Sequence, residues 1–265
     1  MKTNITETFQ ITLHNLKRLL NGKSEAISQK QSSDGYKITV GSDIIWAPGP
    51  RRWRMYRKGL NHRLLDVSNR YGLVDIPQGH EDSWAIDVGA FMGEWALHML
   101  RKGYNVLSIE PDPAAAVCAR KNISQHYHGP RKWILEQRVA LDTNKEVSFY
   151  SSAQNADGSI FQSTKHPSHL LTLQATTLDD IISTHPYIQD IAYLKMDAEG
   201  AEPEVLDGAS NTLARINTIG IDAGAERQGE NTIIPCRERL LRHGFVDITI
   251  PPPPHKDIVV MRKKT

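Results

Sequence analysis

Cysteine is scarce in this chain of 265 residues, with only Cys118 and Cys236, far apart in sequence. Two distant cysteines build neither a disulfide framework nor a thiolate metal site, so both read as reduced thiols. Long apolar runs are missing as well. No segment reaches the ~20 residues that span a bilayer. The opening "MKTNITETFQITLHNLKRLL" has no uninterrupted apolar centre of the kind a secretory signal carries. The expectation is a cytoplasmic protein with no membrane span. Charge of one sign is not in excess either: 32 Lys and Arg face 30 Asp and Glu, a formal net charge of +2. That balance alone implies no polyanionic partner, which makes nucleic acid an unlikely ligand and directs attention to local patterns. Internal repeats and low-complexity tracts are absent, and so is the G-x-G-x-x-G turn of a dinucleotide-binding fold.

What is present is an alternation of strand-like and helix-like segments. The length suits one large α/β domain with an appendage. Residues 1–80 read as an N-terminal cap. A helix runs over Thr8–Leu20, followed by the polar linker "SEAISQKQSSDG", a hairpin in "YKITVGSDIIW" and one or two helices within 51–72. From residue 81 to 265 the pattern becomes βαβ. "WAIDVGA" is a buried strand, "GEWALHMLRKG" a helix, "NVLSIE" a second strand, and Asp112 with Pro113 opens the next helix. "WILEQRVAL", "EVSFYSS" and "LLTLQAT" continue as strands, and Thr177 with Asp180 forms a capping box. "IAYLKMD", a helix over "EPEVLDGASNTLARI", the strand "TIGID" and the helix "IIPCRERLLRHG" follow. A final pair, "FVDITI" and "DIVVMRK", flanks "PPPPHK" and is expected to be antiparallel. The predicted class is α/β, a mostly parallel sheet with helices on both faces.

In such a sheet the ligand sits beyond the carboxyl ends of the strands. Asp87 ends the first strand of the domain, Gly89 and Gly93 permit a tight turn beside a ligand, and Glu110 ends the second strand, where it suits the two hydroxyls of a ribose. The spacing D-x-G-x-x-x-G puts an acid where a pyrophosphate turn would have glycine. That favours a cationic nucleoside over NAD, and S-adenosylmethionine, with its ribose, ammonium and sulfonium, fits both acids.

These segments resemble the FkbM-type S-adenosylmethionine-dependent methyltransferases. The resemblance rests on "AIDVGAFMGEW", "VLSIEPDP", "VALDTNKEVSFY", "ATTLDDII" and above all "YLKMDAEGAEPEVLDGA", residues 193–209, which is similar to the family's K-hydrophobic-D-x-E-G-x-E signature. It covers about residues 70 to 262 and departs from the family pattern at Phe91, where asparagine is usual. It implies a class I (Rossmann-like) methyltransferase fold, a seven-stranded mostly parallel sheet with a terminal antiparallel hairpin. The cofactor is expected to lie on Asp87, Gly89, Ala90 and Gly93 at its methionine end, on Glu110 and Pro111 at the ribose, and on Ala140 and Leu141 at the adenine. The expected activity is O-methylation of a hydroxyl on a small molecule, sugar or natural-product intermediate.

Alternation places Tyr193, Lys195 and Asp197 on one side of their strand, with Asp197 at its carboxyl end. A hydroxyl attacks better when a base takes its proton. Asp197 is the first candidate base and Glu199 the second, with Lys195 as electrostatic partner; Glu202 and Glu204 complement the dipole of the following helix. Asp222 ends the neighbouring strand, so Asp197 and Asp222 together form an alternative site for Mg²⁺, though a metal-free reaction is favoured. His166 and His169 are further base candidates on a loop. The run "RRWRMYRKGLNHR", residues 51–63, keeps RNA methylation open as an alternative, with Trp53 and Tyr56 to stack on bases. The other reading of that run is a solvated helix face whose Trp53 packs inward. A cofactor-binding partner subunit without activity is a further alternative, and a homo-oligomer is compatible with the sequence.

Overall fold

The computed structural model describes residues 2–22, 26–152, 158–162, 168–227, 229–249 and 257–264. Helix α1 (Lys2–Leu20) lies beside an antiparallel sheet of β1 (Ile27–Ser32), β2 (Gly35–Val40) and β3 (Asp43–Ala47). Asn15 fastens the helix to the sheet, its side-chain amide exchanging hydrogen bonds with both backbone groups of Ile27. β1 falls inside the segment expected to be a polar linker. Only Ile27 of that strand is buried, so no apolar alternation marks it, and its pairing with β2 specifies it. A short 3₁₀ turn, Arg52–Tyr56, then leads into α2 (Leu60–Arg70).

The main sheet begins with β4 (Trp84–Val88), α3 (Glu94–Arg101), β5 (Asn105–Ile109), α4 (Pro113–His126) and β6 (Trp133–Glu136). A side sheet follows, formed by β7 (Val139–Leu141), β8 (Glu146–Ser151) and β9 (His169–Thr177). The chain returns through α5 (Leu178–Ser183), β10 (Ile191–Met196), α6 (Glu202–Asp207), α7 (Ser210–Leu213) and β11 (Ile216–Asp222), then α8 (Ile233–Arg242), β12 (Phe245–Asp247) and β13 (Ile258–Lys263). The seven strands of the main sheet stand in the order β12-β13-β11-β10-β4-β5-β6. β13 runs antiparallel to both its neighbours, while the pairs joining β11, β10, β4, β5 and β6 are parallel. This is the class I methyltransferase arrangement. The "PPPPHK" turn lies outside the described residues.

Every residue of β4 and β5 is buried, as expected of parallel strands covered on both faces. One core cluster joins the cap to the domain, with Ile38, Trp53 and Tyr56 packing in the same group as Met92, Trp95 and Cys118. Two segments differ from the sequence expectation. "WILEQRVAL" is not one strand, because β6 stays in the main sheet while β7 leaves it to pair with β9. The helix expected over 202–216 breaks at Gly208, where a Cβ would lie 2.1 Å from the carbonyl oxygen of Leu141. The anticipated caps are present: Asp112 accepts from the amides of Ala114 and Ala115, and Thr177 from that of Asp180.

Candidate active site

β4 lies between β5 and β10, so the chain leaves the sheet in opposite directions on either side of it, and a cavity opens beyond the carboxyl ends of these strands. Gly89, Ala90, Glu110, Pro111, Ala140, Lys195, Asp197 and Glu199 all line it. Asp87, Gly93, Leu141 and Asp222, also singled out from sequence, do not.

Asp87 lies fully buried beneath the cavity floor. Its carboxylate accepts no hydrogen bond of good geometry from the described residues, and the compensating charge is Lys195, whose Nζ is 3.2 Å away. Burial pushes the Asp87 carboxyl above its usual range and Lys195 opposes that shift. Asp87 does not itself line the cavity, and its carboxylate stands beside the lysine that holds the turn after β4. Lys195 itself donates to the carbonyls of Gly89 (2.6 Å) and Val88 (3.2 Å), and so holds the turn after β4 from below. Gly93 begins α3 in the left-handed region (φ 77°) and packs against Ala119 and Ile123. Leu141 packs with Val139 and Phe149 in a separate cluster.

On the β5 side, Glu110 is 6 % exposed and accepts hydrogen bonds from the amides of Phe91 (2.7 Å) and Asp112 (2.8 Å). Burial pushes its carboxyl up to about 7 despite those bonds. The turn that delivers the Phe91 amide is sharp, with Phe91 itself at φ 49°. Each carboxylate oxygen has a second lone pair, so Glu110 can still accept from a ligand.

On the β10 side, Asp197 Oδ2 accepts a 2.6 Å hydrogen bond from Tyr71, and Oδ1 accepts none from the described residues. The loop that follows is shaped by Glu202, which is fully buried. Its Oε1 accepts from the amides of Ala198 and Gly200, and its Oε2 from the Thr232 hydroxyl; burial raises its carboxyl to about 7. Glu202 thus organises a loop, a larger task than complementing a helix dipole. Glu204 is ion-paired to Arg227. Glu199 stands at φ 50°, and its carbonyl accepts from Ser159 at 2.7 Å. His169 is exposed on β9 and does not line the cavity, whereas His166 lies outside the described residues.

The cap forms the roof. Arg52, Met55, Arg63, Val67, Arg70 and Tyr71 reach the cavity from the 3₁₀ turn and from α2 with its C-terminal end. Arg63 forms two hydrogen bonds to Glu94 of α3 (2.7 and 2.8 Å), and Tyr56 donates a third at 2.6 Å. Arg70 donates to Asp222 at 2.7 Å. The charge of Asp222 is thus met by a guanidinium, and an ion held between Asp197 and Asp222 would have to displace Arg70. In the basic run 51–63, Trp53 and Tyr56 are both buried, so the run presents neither ring for stacking on bases.

A model of the methyltransferase FkbM domain matches residues 87–246. The chain belongs to this family. It is 29 % identical over 187 residues to "2-O-methyltransferase NoeI" of Sinorhizobium fredii, covering 64 % of this chain and 74 % of that protein. Over 168 residues it is 25 % identical to "Methyltransferase 1" of Beauveria bassiana, covering 56 % of this chain and 65 % of that protein. Among solved structures, magnesium protoporphyrin IX methyltransferase from Synechocystis superposes with a TM-score of 0.47 at 8 % identity, covering 81 % of this chain and 87 % of that one. In this FkbM-family chain the residues that sequence reasoning missed are Tyr71, Arg70 and Arg63 of the roof, and Glu94 of α3, to which Arg63 is bonded. The only signal for Tyr71 was an aromatic ring at the end of an amphipathic helix, just before Gly72.

Proposed function

We propose that this protein is an S-adenosylmethionine-dependent O-methyltransferase acting on a hydroxyl of a small molecule, sugar or natural-product intermediate, without a metal ion. The observation that carries the reading is Asp197: a carboxylate at the end of β10, facing the cavity, oriented by Tyr71 and with one oxygen open to an acceptor.

The residues present fit the cofactor. Glu110 offers acceptor capacity for vicinal hydroxyls, and Ile109, Val139 and Ala140 give an apolar wall suited to a flat ring. Gly89 (φ 71°) leaves no side chain between the turn after β4 and Asp197. When bound, S-adenosylmethionine supplies a methyl group on a positively charged sulfur, open to attack by an oxygen lone pair. Asp197 accepts the hydroxyl proton as the oxygen attacks, Tyr71 keeps that carboxylate in one orientation, and Lys195 fixes the turn on which the cofactor would rest. The roof closes the cavity and helps exclude water. Oxygen as the acceptor atom is supported by the relative named as a 2-O-methyltransferase and by a proton acceptor of the right chemistry in the cavity.

Calorimetric titration with S-adenosylmethionine and with NAD tests the cofactor, the expected result being binding of the first alone. Asp197→Asn is expected to lower turnover on a hydroxylated acceptor by about 10²–10⁴ while cofactor affinity moves by less than about threefold. Unchanged turnover removes Asp197 from the chemistry, and absence of S-adenosylmethionine binding overturns the cofactor assignment.

A further inference from the structure

Helix α1 shows the protein its more polar side. Glu7 is 2 % exposed, accepts a 2.9 Å hydrogen bond from the Trp53 ring and is paired with Arg54. Asn15 is bonded to Ile27, and Arg18 donates to the carbonyl of Arg57 at 2.7 Å. Ile11 is the buried apolar residue of this face. The opposite face, set by the helical period of ~100° per residue, carries Ile5, Phe9, Leu13, Leu16 and Leu20, with Leu19 at its margin. These six side chains are between 43 and 78 % exposed. An amphipathic surface helix ordinarily docks its apolar stripe and shows solvent its polar one. Here the order is reversed.

Lys17 borders the stripe next to Leu13 and, with His14, Arg18, Asn21, Arg57 and Lys58, lines a groove between α1 and the end of the 3₁₀ turn. No acid lines it, and Lys17, Arg57 and Lys58 are exposed. Burial first, and then the charges of Arg18, Arg57 and Lys17, hold His14 below its usual pKa. The only acid of α1, Glu7, is buried on the other side. A second copy of this chain seated on the stripe by a two-fold axis would bring another cationic flank and no acid of α1 to meet it. An anionic bilayer surface satisfies both halves of the pattern, since apolar side chains enter the boundary of the acyl region while lysine and arginine meet headgroups. No described helix is long and apolar enough to cross a membrane, which leaves the in-plane arrangement.

We propose that α1 and the basic groove beside it dock this protein on an anionic membrane surface, with the helix axis in the plane of the interface. The docking face is separate from the cavity and its test needs no methyl acceptor. The full chain is sedimented with vesicles of phosphatidylcholine alone and of phosphatidylcholine with phosphatidylglycerol. Retention on the anionic vesicles, weakening as salt is raised, is the expected result. The double variant Phe9→Ser/Leu16→Ser and the double variant Lys17→Glu/Lys58→Glu are each expected to lower partitioning by about tenfold or more, with far-UV spectrum and melting midpoint unchanged. Equal retention on both vesicle types, or none on either, overturns the proposal. So does a concentration-dependent dimer, seen by light scattering, that Phe9→Ser/Leu16→Ser abolishes; that result would assign the stripe to a second copy.

Discussion

Glu94 and Glu110 line the same cavity from neighbouring elements, both almost fully enclosed, and the structure treats them in opposite ways. Burial works to raise Glu94, but the ion pair with Arg63 and the hydrogen bond from Tyr56 outweigh it and hold the carboxyl below its usual range. Glu110 has backbone amides for partners, and burial lifts it to about 7. The difference follows from where the opposite charge comes from. The cap supplies arginines to acids that anchor it, Arg63 to Glu94 and Arg70 to Asp222, while Glu110 and Asp197 receive neutral donors. On this reading the first pair fastens the roof, and the second remains open to ligands.

The contrast is most severely tested at Arg63. Its removal in Arg63→Met leaves a buried carboxylate without its counter-charge, which is expected to cost about 3–5 kcal/mol of stability in denaturant titrations. The double variant Arg63→Met/Glu94→Leu should recover most of that loss. If the single variant is as stable as the parent, the pair does not anchor the cap.

At Glu110 the test is pH. A folded value of about 7 against an ordinary 4.5 means that this group's contribution to stability is fully present below the ordinary value and is lost as pH rises through about 7. Hydroxyl donors on a ligand favour the ionised form, so the sign for binding is reversed. S-adenosylmethionine affinity should rise about tenfold between about pH 6 and about pH 8, with proton release visible in buffers of different ionisation enthalpy. Glu110→Gln should flatten that profile. The smallest effect is expected at Tyr71, where Phe removes one neutral hydrogen bond to Asp197. A fall in kcat of about three- to tenfold with little change in cofactor affinity would place Tyr71 as a positioning residue.

The sheet and the open pair of acids were legible in the sequence because their signals are local. Apolar runs end in Asp87, Glu110 and Asp197, glycines mark the turn after β4, and Asp112 and Thr177 announce the helices they cap. The anchoring pairs were not, because their partners are distant along the chain: 31 residues separate Arg63 from Glu94, and 152 separate Arg70 from Asp222. A run such as 51–63 has the composition of a solvated helix face. Nothing in it shows that Arg63 will be 8 % exposed and bonded to α3. The missed elements have the same origin. β1 has one buried residue, and the break at Gly208 answers to the carbonyl of Leu141, far upstream. Asp87 was placed at the correct strand end, but its fully buried position under Lys195 depends on the register between β4 and β10.

A Cβ at Gly89 would lie 1.9 Å from the carbonyl oxygen of Asp197. The turn proposed to carry the methyl donor and the residue proposed to take the proton are therefore in backbone contact, with no side chain between them to absorb an adjustment. At this point grip on the donor and aim of the base have a single shared tolerance. Variation can tune one without the other only from outside, through the roof, through Lys195 below, or through the Glu202 bonds that shape the loop beyond.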